Sequence, residues 1–125
     1  MKIYIGYSKS LDFKNELYEP LRSSILNTQH EIILPHELYE NATDFVSRDI
    51  IKTCDLMIAE VSYPATGLGI GLGWADVHKC SIVCLYRSGH KTSGSLKVVT
   101  DKFSEYTDKE EMLKKIANII DTFQR

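Results

Sequence analysis

The sequence contains no long apolar run, no excess of positive charge and no cysteine framework, and each absence removes a class of function. No stretch approaches the roughly 18 apolar residues that a membrane span needs, so no membrane partner is expected. Fifteen basic residues against 17 acidic ones leave a formal net charge of −2, which gives no electrostatic case for binding nucleic acid. Cys54, Cys80 and Cys84 form an odd, loosely spaced set. No second ligand pair stands at zinc-like spacing from Cys80 and Cys84, and His30, His78 and His90 do not pair with one another, so no metal site is expected. The cysteines read as reduced thiols of a cytoplasmic core. Met1 to Ile5 carry no apolar signal region with a small-residue cleavage site, in line with a cytoplasmic location. What is present is ordinary for a globular chain: 125 residues, 43% hydrophobic and 26% charged, expected to fold as one domain over residues 1–125.

Strand and helix signals take turns along the chain. Residues 2–7 are β-rich. Leu11, Leu17, Leu21, Ile25 and Leu26 recur with a period near 3.6, which predicts a helix over 11–28, kinked or restarted at Pro20. Residues 31–34 form a short apolar strand stopped by Pro35. A helix is expected over 44–53, with Phe45, Val46, Ile50 and Ile51 on one face and Thr43 or Asp44 as its cap. "DLMIAEV" (55–61) and "SIVCLY" (81–86) are continuous apolar runs, the mark of strands buried on both faces. Residues 67–79 can form a helix despite their glycines, and residues 102–106 a short edge strand. The last helix is the clearest, capped by Asp108, with Met112, Leu113, Ile116, Ile119, Ile120 and Phe123 as its stripe. This alternation predicts an α/β three-layer sandwich around a five-stranded parallel sheet.

In such sheets ligands bind outside the carboxyl ends of the strands, where the strand order reverses. The segments there are 6–11, 35–39, 62–71 and 87–95. The third holds the stretch that most needs explaining, "PATGLGIGLGWAD" (64–76), with glycines at 67, 69, 71 and 73. It follows a strand and opens a helix, a place where backbone N–H groups can meet an anion. It matches neither G-x-G-x-x-G nor a P-loop, and close packing of helix on strand accounts for small residues equally well. Tyr4 and Tyr7 flank the first turn, where Ser8, Lys9 and Ser10 follow. His36 and Glu37 stand in the second loop. Asp49, Glu60 and Asp76 are the remaining acids near the predicted site, each with an ordinary structural role open to it.

Together, "KIYIG", "LPHE", "RDIIKTCDLMIAEVSYPATGLGIGLGWAD" and "SIVCLYR" resemble the nucleoside 2-deoxyribosyltransferase superfamily, and most closely its 2'-deoxynucleoside 5'-phosphate N-hydrolase branch. The resemblance runs over residues 2–106 in matching order and spacing. It implies a flavodoxin-like or Rossmann-like fold, assembled as a homodimer or higher homo-oligomer. It implies an N-glycosidase, a hydrolase or transferase of nucleotide metabolism, whose small-molecule partner is a deoxynucleoside or deoxynucleotide and which uses neither metal nor redox cofactor. In this chemistry a glutamate of the glycine-rich turn meets the oxocarbenium-like anomeric carbon. Carried over by position, Asp49 orients the sugar or assists the departing base, and Tyr4 holds the nucleophile. Gly6 belongs to the first turn, Gly67, Gly69 and Gly73 to the glycine-rich turn, and Ser93 to a loop reaching a neighbouring subunit's phosphate site.

Two departures stand out. Gly71 occupies the position of the nucleophilic glutamate, and Ala65 stands where the family has serine for a 5'-phosphate or aspartate for a free nucleoside. Lys9 keeps a positive charge in a first loop that the family makes glycine- and arginine-rich. The expectation is therefore an N-glycosidase scaffold, inactive or impaired in this form, unless another acid, Glu60, Asp49 or Asp76, does the work. The alternative is a non-catalytic nucleotide-binding or partner-binding flavodoxin-like module.

Overall fold

Side chains alternate along the first strand in a way that sets out both faces of the protein. Ile3 and Ile5 turn to one side of the sheet and Tyr4 to the other, all buried. The computed structural model describes residues 1–38 and 47–124. The expected cap at Thr43 or Asp44 and the residues Phe45 and Val46 lie outside the described residues.

Five parallel strands, β1 (Lys2–Gly6), β2 (Glu31–Ile33), β3 (Leu56–Glu60), β4 (Ser81–Arg87) and β5 (Phe103–Tyr106), stand in the order β2-β1-β3-β4-β5. Ile3 pairs with Ile32 on one side and Leu56 on the other, and Met57 pairs with Ile82. Every residue of β3 is buried, as its continuous apolar run requires. Leu56, Ile58, Val83 and Leu85 pack with Leu17, Leu21, Met112, Ile116 and Ile120. Met57, Ala59, Ile82 and Cys84 pack with Ile51, Leu68, Leu72 and Ala75. The result is the expected three-layer sandwich.

The helix expected over 11–28 comes in pieces. A π-helical turn (Lys14–Tyr18) precedes α1 (Glu19–Arg22), and α2 (Leu26–Gln29) follows. Pro20 explains the restart: it sits in the first turn of α1, where its missing N–H has no intrahelical partner to lose. Beyond β2 a short α3 (Pro35–Leu38) occupies what reads in sequence as loop, and α4 (Ser47–Ile51) precedes β3. The loop after β4 contains a 3₁₀ turn (Gly94–Val98). In α6 (Lys109–Gln124), the Glu111 N–H donates to Asp108 Oδ1 at 2.9 Å and the Thr107 N–H to Glu111 Oε1 at 3.0 Å. This reciprocal cap fixes the start of the helix whose stripe was legible in sequence.

The glycine-rich stretch forms α5 (Thr66–Val77). A Cβ added at Gly69 or Gly73 would meet nothing within 4 Å. Glycine at these two positions serves no packing need and costs backbone entropy. Gly69→Ala and Gly73→Ala should therefore each stabilise the fold by roughly 0.5–1 kcal/mol, read from urea unfolding midpoints at unchanged m-value.

Cys54, Cys80 and Cys84 are free and buried. Burial pushes their thiols up to about 12, 11 and 11 respectively. A thiol whose folded pKa is raised keeps its proton while the unfolded chain would already release it. Unfolding then sheds protons, so stability falls as pH rises. The melting temperature should hold up to about pH 8 and decline from there to about pH 11–12, and thiol-free variants should decline less.

Candidate functional site

At β1 the chain leaves the sheet toward opposite neighbours. The connection to β2 runs through α1 and α2 on the α6 face, and the path from β2 to β3 runs through α4 on the α5 face. A crevice opens where the connections diverge. It holds a cavity of about 570 Å³, within the range of small-molecule sites. The loop after β1 contributes Gly6, Tyr7, Ser8, Lys9 and Ser10, and the start of α3 contributes Pro35 and His36. Pro64, Ala65, Gly67, Leu68, Ile70, Gly71 and Trp74 line it from the approach and first turns of α5. Tyr4, Met57 and Ser47 complete the wall. Three of the four strand-end loops expected from the sequence thus converge. The fourth, after β4, contributes no lining residue among those described.

Tyr4 is buried and its hydroxyl donates to Ser47 Oγ at 3.2 Å. Burial pushes its phenol up to about 12 against the opposing pull of the Ser47 hydrogen bond, so it stays neutral at ordinary pH. Gly6 sits at the strand end, where a Cβ would come within 2.7 Å of Met57 Cε and 2.9 Å of Leu68 Cδ1. Glycine here lets α5 close on the sheet.

Asp49 is not placed with Tyr4. Its carboxyl side chain is 70% exposed and lies 3.8 Å from the Arg48 guanidinium. The reason is helical phase. Ser47 and Ile51, four residues apart, face inward, and a residue two positions from Ser47 lies on the far side of α4. Ser47 therefore holds the polar position at the cavity that the sequence reading assigns to Asp49. The period of Ile50 and Ile51 was the signal that could have shown it.

The same phase sorts the glycines. Gly67 and Gly71 share the cavity face of α5, while Gly69 and Gly73 are not among the lining residues. The reading by alternate positions would suit a strand, and α5 is a helix. Gly71 is buried beside Ile51 Cδ1 and Met57 Cε, each 3.7 Å from a Cβ built there, an ordinary contact for that atom. Ala65 is the N-cap of α5 and offers no side-chain oxygen to its first N–H groups. The start of α5, through Ala65, Gly67 and Leu68, and the exposed Lys9 both line the cavity. Ser93 lies away from the cavity and caps the 3₁₀ turn, accepting from the Ser95 N–H at 3.3 Å.

The other acids are engaged elsewhere. Glu60 is buried, and its carboxyl group accepts from the Ser62 N–H at 2.7 Å, from Ser62 Oγ at 2.9 Å and from the Tyr106 hydroxyl. Burial and this contact push the Tyr106 phenol up. Glu37 pairs with Arg22 at 2.6 Å, and Asp76 is exposed on α5. No group of three or more metal-ligating side chains occurs among the described residues.

One cluster at the cavity wall was only partly legible. Phe13 stacks on Tyr7 and on His36, with centroids 4.8 and 4.7 Å apart. The Tyr7 hydroxyl contacts both the Tyr18 hydroxyl and His36 Nδ1, and the His36 backbone N–H donates to the Tyr18 oxygen at 2.7 Å. Burial, then Lys9 and Lys14, hold the His36 pKa below its ordinary value. Its Nε2 is shut off from solvent and has no hydrogen-bond partner among the described residues.

No protein-family model matches the chain. Over 67 residues it is 39% identical to a curated Nematostella vectensis protein named "Putative 2'-deoxynucleoside 5'-phosphate N-hydrolase 1". That match takes in 49% of this chain and 46% of the relative, so the chain is matched to less than half of the relative's length. The fold is that of the Clostridium botulinum CMP N-glycosidase BcmB, with a TM-score of 0.67 and 23% identity over 94% of this chain and 99% of that one. No helix among the described residues is long and apolar enough to cross a membrane. In sequence the chain is thus similar to a nucleotide N-hydrolase and in fold to a nucleotide N-glycosidase, as its resemblance to the nucleoside 2-deoxyribosyltransferase superfamily leads one to expect.

Proposed function

We propose that the cavity at the β1/β3 switch point is an N-glycosidase site for a nucleotide, with a 2'-deoxynucleoside 5'-monophosphate as the ligand class. In this reading the pentose lies against Tyr4, Ser47 and position 71, and the phosphate meets Lys9 and the uncapped start of α5. Gly71 stands where the attacking carboxylate belongs, so the chain binds its ligand with little or no cleavage. One observation carries the reading. A cavity of about 570 Å³ brings Tyr4, Lys9, Ala65 and Gly71, distant in sequence, onto one wall system at the expected edge of the sheet.

Tyr4 stays a neutral phenol, suited to holding a hydroxyl or carboxylate rather than to moving protons at neutral pH. Lys9 supplies charge, and the open N–H groups of α5 supply directed donors. Asp49, on the outer face of α4, is assigned no step in this reading.

The test is a binding panel. Deoxynucleoside 5'-monophosphates should raise the melting temperature in a concentration-dependent way. The matching nucleosides should do so less, and Lys9→Ala should narrow the difference. No shift with any nucleotide or nucleoside would leave a flavodoxin-like module without this ligand. Dimer or higher homo-oligomer assembly belongs to the same proposal and is read by light scattering.

A further inference from the structure

Among the described residues, four aromatic rings line the cavity, those of Tyr4, Tyr7, His36 and Trp74. Three are engaged within the chain. Tyr4 is hydrogen-bonded to Ser47, and Tyr7 and His36 are stacked with Phe13. Trp74 differs from them. Among the described residues no hydrogen bond and no ring contact holds its indole. The side chain packs against the cluster that contains Leu72 and Ala75 but stays only half-buried. A large apolar ring left half-open at a cavity gains by being covered.

Helix phase puts that ring where a ligand's base would come. Gly67, Ile70, Gly71 and Trp74 follow one another along the cavity face of α5. A long side chain in a helix leans back over the residues three and four positions before it, here Gly71 and Ile70. Gly71 has no side chain to lie against the indole. Ile70 is 49% exposed and, with Pro64, adds apolar wall. No carboxylate or carboxamide side chain lines the cavity among the described residues, so the wall offers a base a face to stack on rather than partners for its edge.

The order of groups along α5 is then the order of groups along a nucleotide. In the reading above the phosphate meets the start of the helix and the anomeric carbon lies at residue 71. The base is bonded to that carbon. The next residue on the same face is Trp74, about 4.5 Å further along the helix axis.

We infer that Trp74 is the stacking platform for the nucleobase of the cavity's ligand. This rests on the nucleotide reading above.

The indole reports its own occupancy, because the chain has no other tryptophan. Excited where tyrosine does not absorb, the emission of the full chain should change on titration with a deoxynucleoside and with its 5'-monophosphate. 2-Deoxyribose 5-phosphate, which keeps the sugar and phosphate without the base, should leave it almost unchanged. Calorimetric titration of the same ligands gives the affinities. Trp74→Ala should weaken both base-bearing ligands about tenfold or more, and Trp74→Phe, which keeps a smaller ring, should weaken them less. Neither variant should alter the affinity for 2-deoxyribose 5-phosphate, and circular dichroism checks that both are folded. Base-bearing ligands that bind without changing the emission, and that bind Trp74→Ala as tightly as wild type, overturn the inference and leave the nucleotide reading intact. Equal weakening of all three ligands in Trp74→Ala also overturns it, since the loss then has nothing to do with the base. If wild type binds none of the three, the nucleotide reading itself falls, and the platform role of Trp74 with it.

Discussion

Gly71→Glu should raise the release of free base from a deoxynucleoside 5'-monophosphate by about a hundredfold or more, which is ~3 kcal/mol off the barrier. The backbone there has room for a side chain to start, and Gly71 lines the cavity. A Cβ at residue 71 meets Ile51 Cδ1 and Met57 Cε no closer than 3.7 Å, an ordinary contact. Glutamate is also a better helix former than glycine by up to ~1 kcal/mol, so α5 should not suffer. The carboxylate would enter the cavity wall where the proposed function puts the anomeric carbon, and it would there meet the positive charge that develops on that carbon. Gly71→Gln is the control, since it has nearly the same shape and no nucleophile, and it should release nothing. Base release is followed by chromatography at saturating substrate. If the glutamate variant folds, binds the nucleotide and still releases no more base than the glutamine variant, the placement of the reacting centre at residue 71 is wrong.

Glu60→Ala should cost about 3 kcal/mol of stability and lower the melting temperature by on the order of 10 °C. The expectation comes from what is left behind. Removal of the carboxyl group strands the Ser62 N–H, the Ser62 hydroxyl and the Tyr106 hydroxyl among buried neighbours. Ser62 Oγ also accepts from the Arg87 N–H at 2.8 Å, so the network ties the ends of β3, β4 and β5. A Glu60→Leu, Tyr106→Phe pair removes a donor together with its acceptor and should recover part of the loss, which a double-mutant cycle by urea unfolding would measure. Losses in Glu60→Leu and in Tyr106→Phe that simply add up to the loss in the pair would mean the hydrogen bond from Tyr106 contributes nothing. Nucleotide affinity should change little, because Glu60 belongs to the α6 side of the sheet and not to the cavity lining.

The architecture was legible because strands and helices advertise themselves through periods of 2 and 3.6. "DLMIAEV" and "SIVCLY" became β3 and β4, and the stripe from Met112 to Phe123 became α6. Pro20 correctly marked a break, though the π-helical turn before it left no sequence signal. The site was legible only in outline. Its loops, and Tyr4, Gly6, Lys9, Ala65, Gly67 and Gly71, were named from the sequence and line the cavity. Asp49 and Gly69 were named too and do not line it, whereas Ser93 was assigned to a neighbouring subunit's site. Asp49 and Gly69 are each two positions from an inward residue, and on a helix that step crosses to the other side.

His36 and Ser47 show the remaining gap. A histidine after "LP" and a serine before "RD" are unremarkable in a linear sequence, because their meaning lies in partners 18 to 43 positions away. By itself the sequence determined the alternation of strands and helices, the burial of β3 on both faces and the edge of the sheet where a ligand would sit. Only the tertiary structure decided which side chains reach that edge together. Hydrophobic periodicity is a local property written in neighbouring residues, whereas the phase of one helix against another and the direction of a hydrogen bond exist only once the chain has closed on itself.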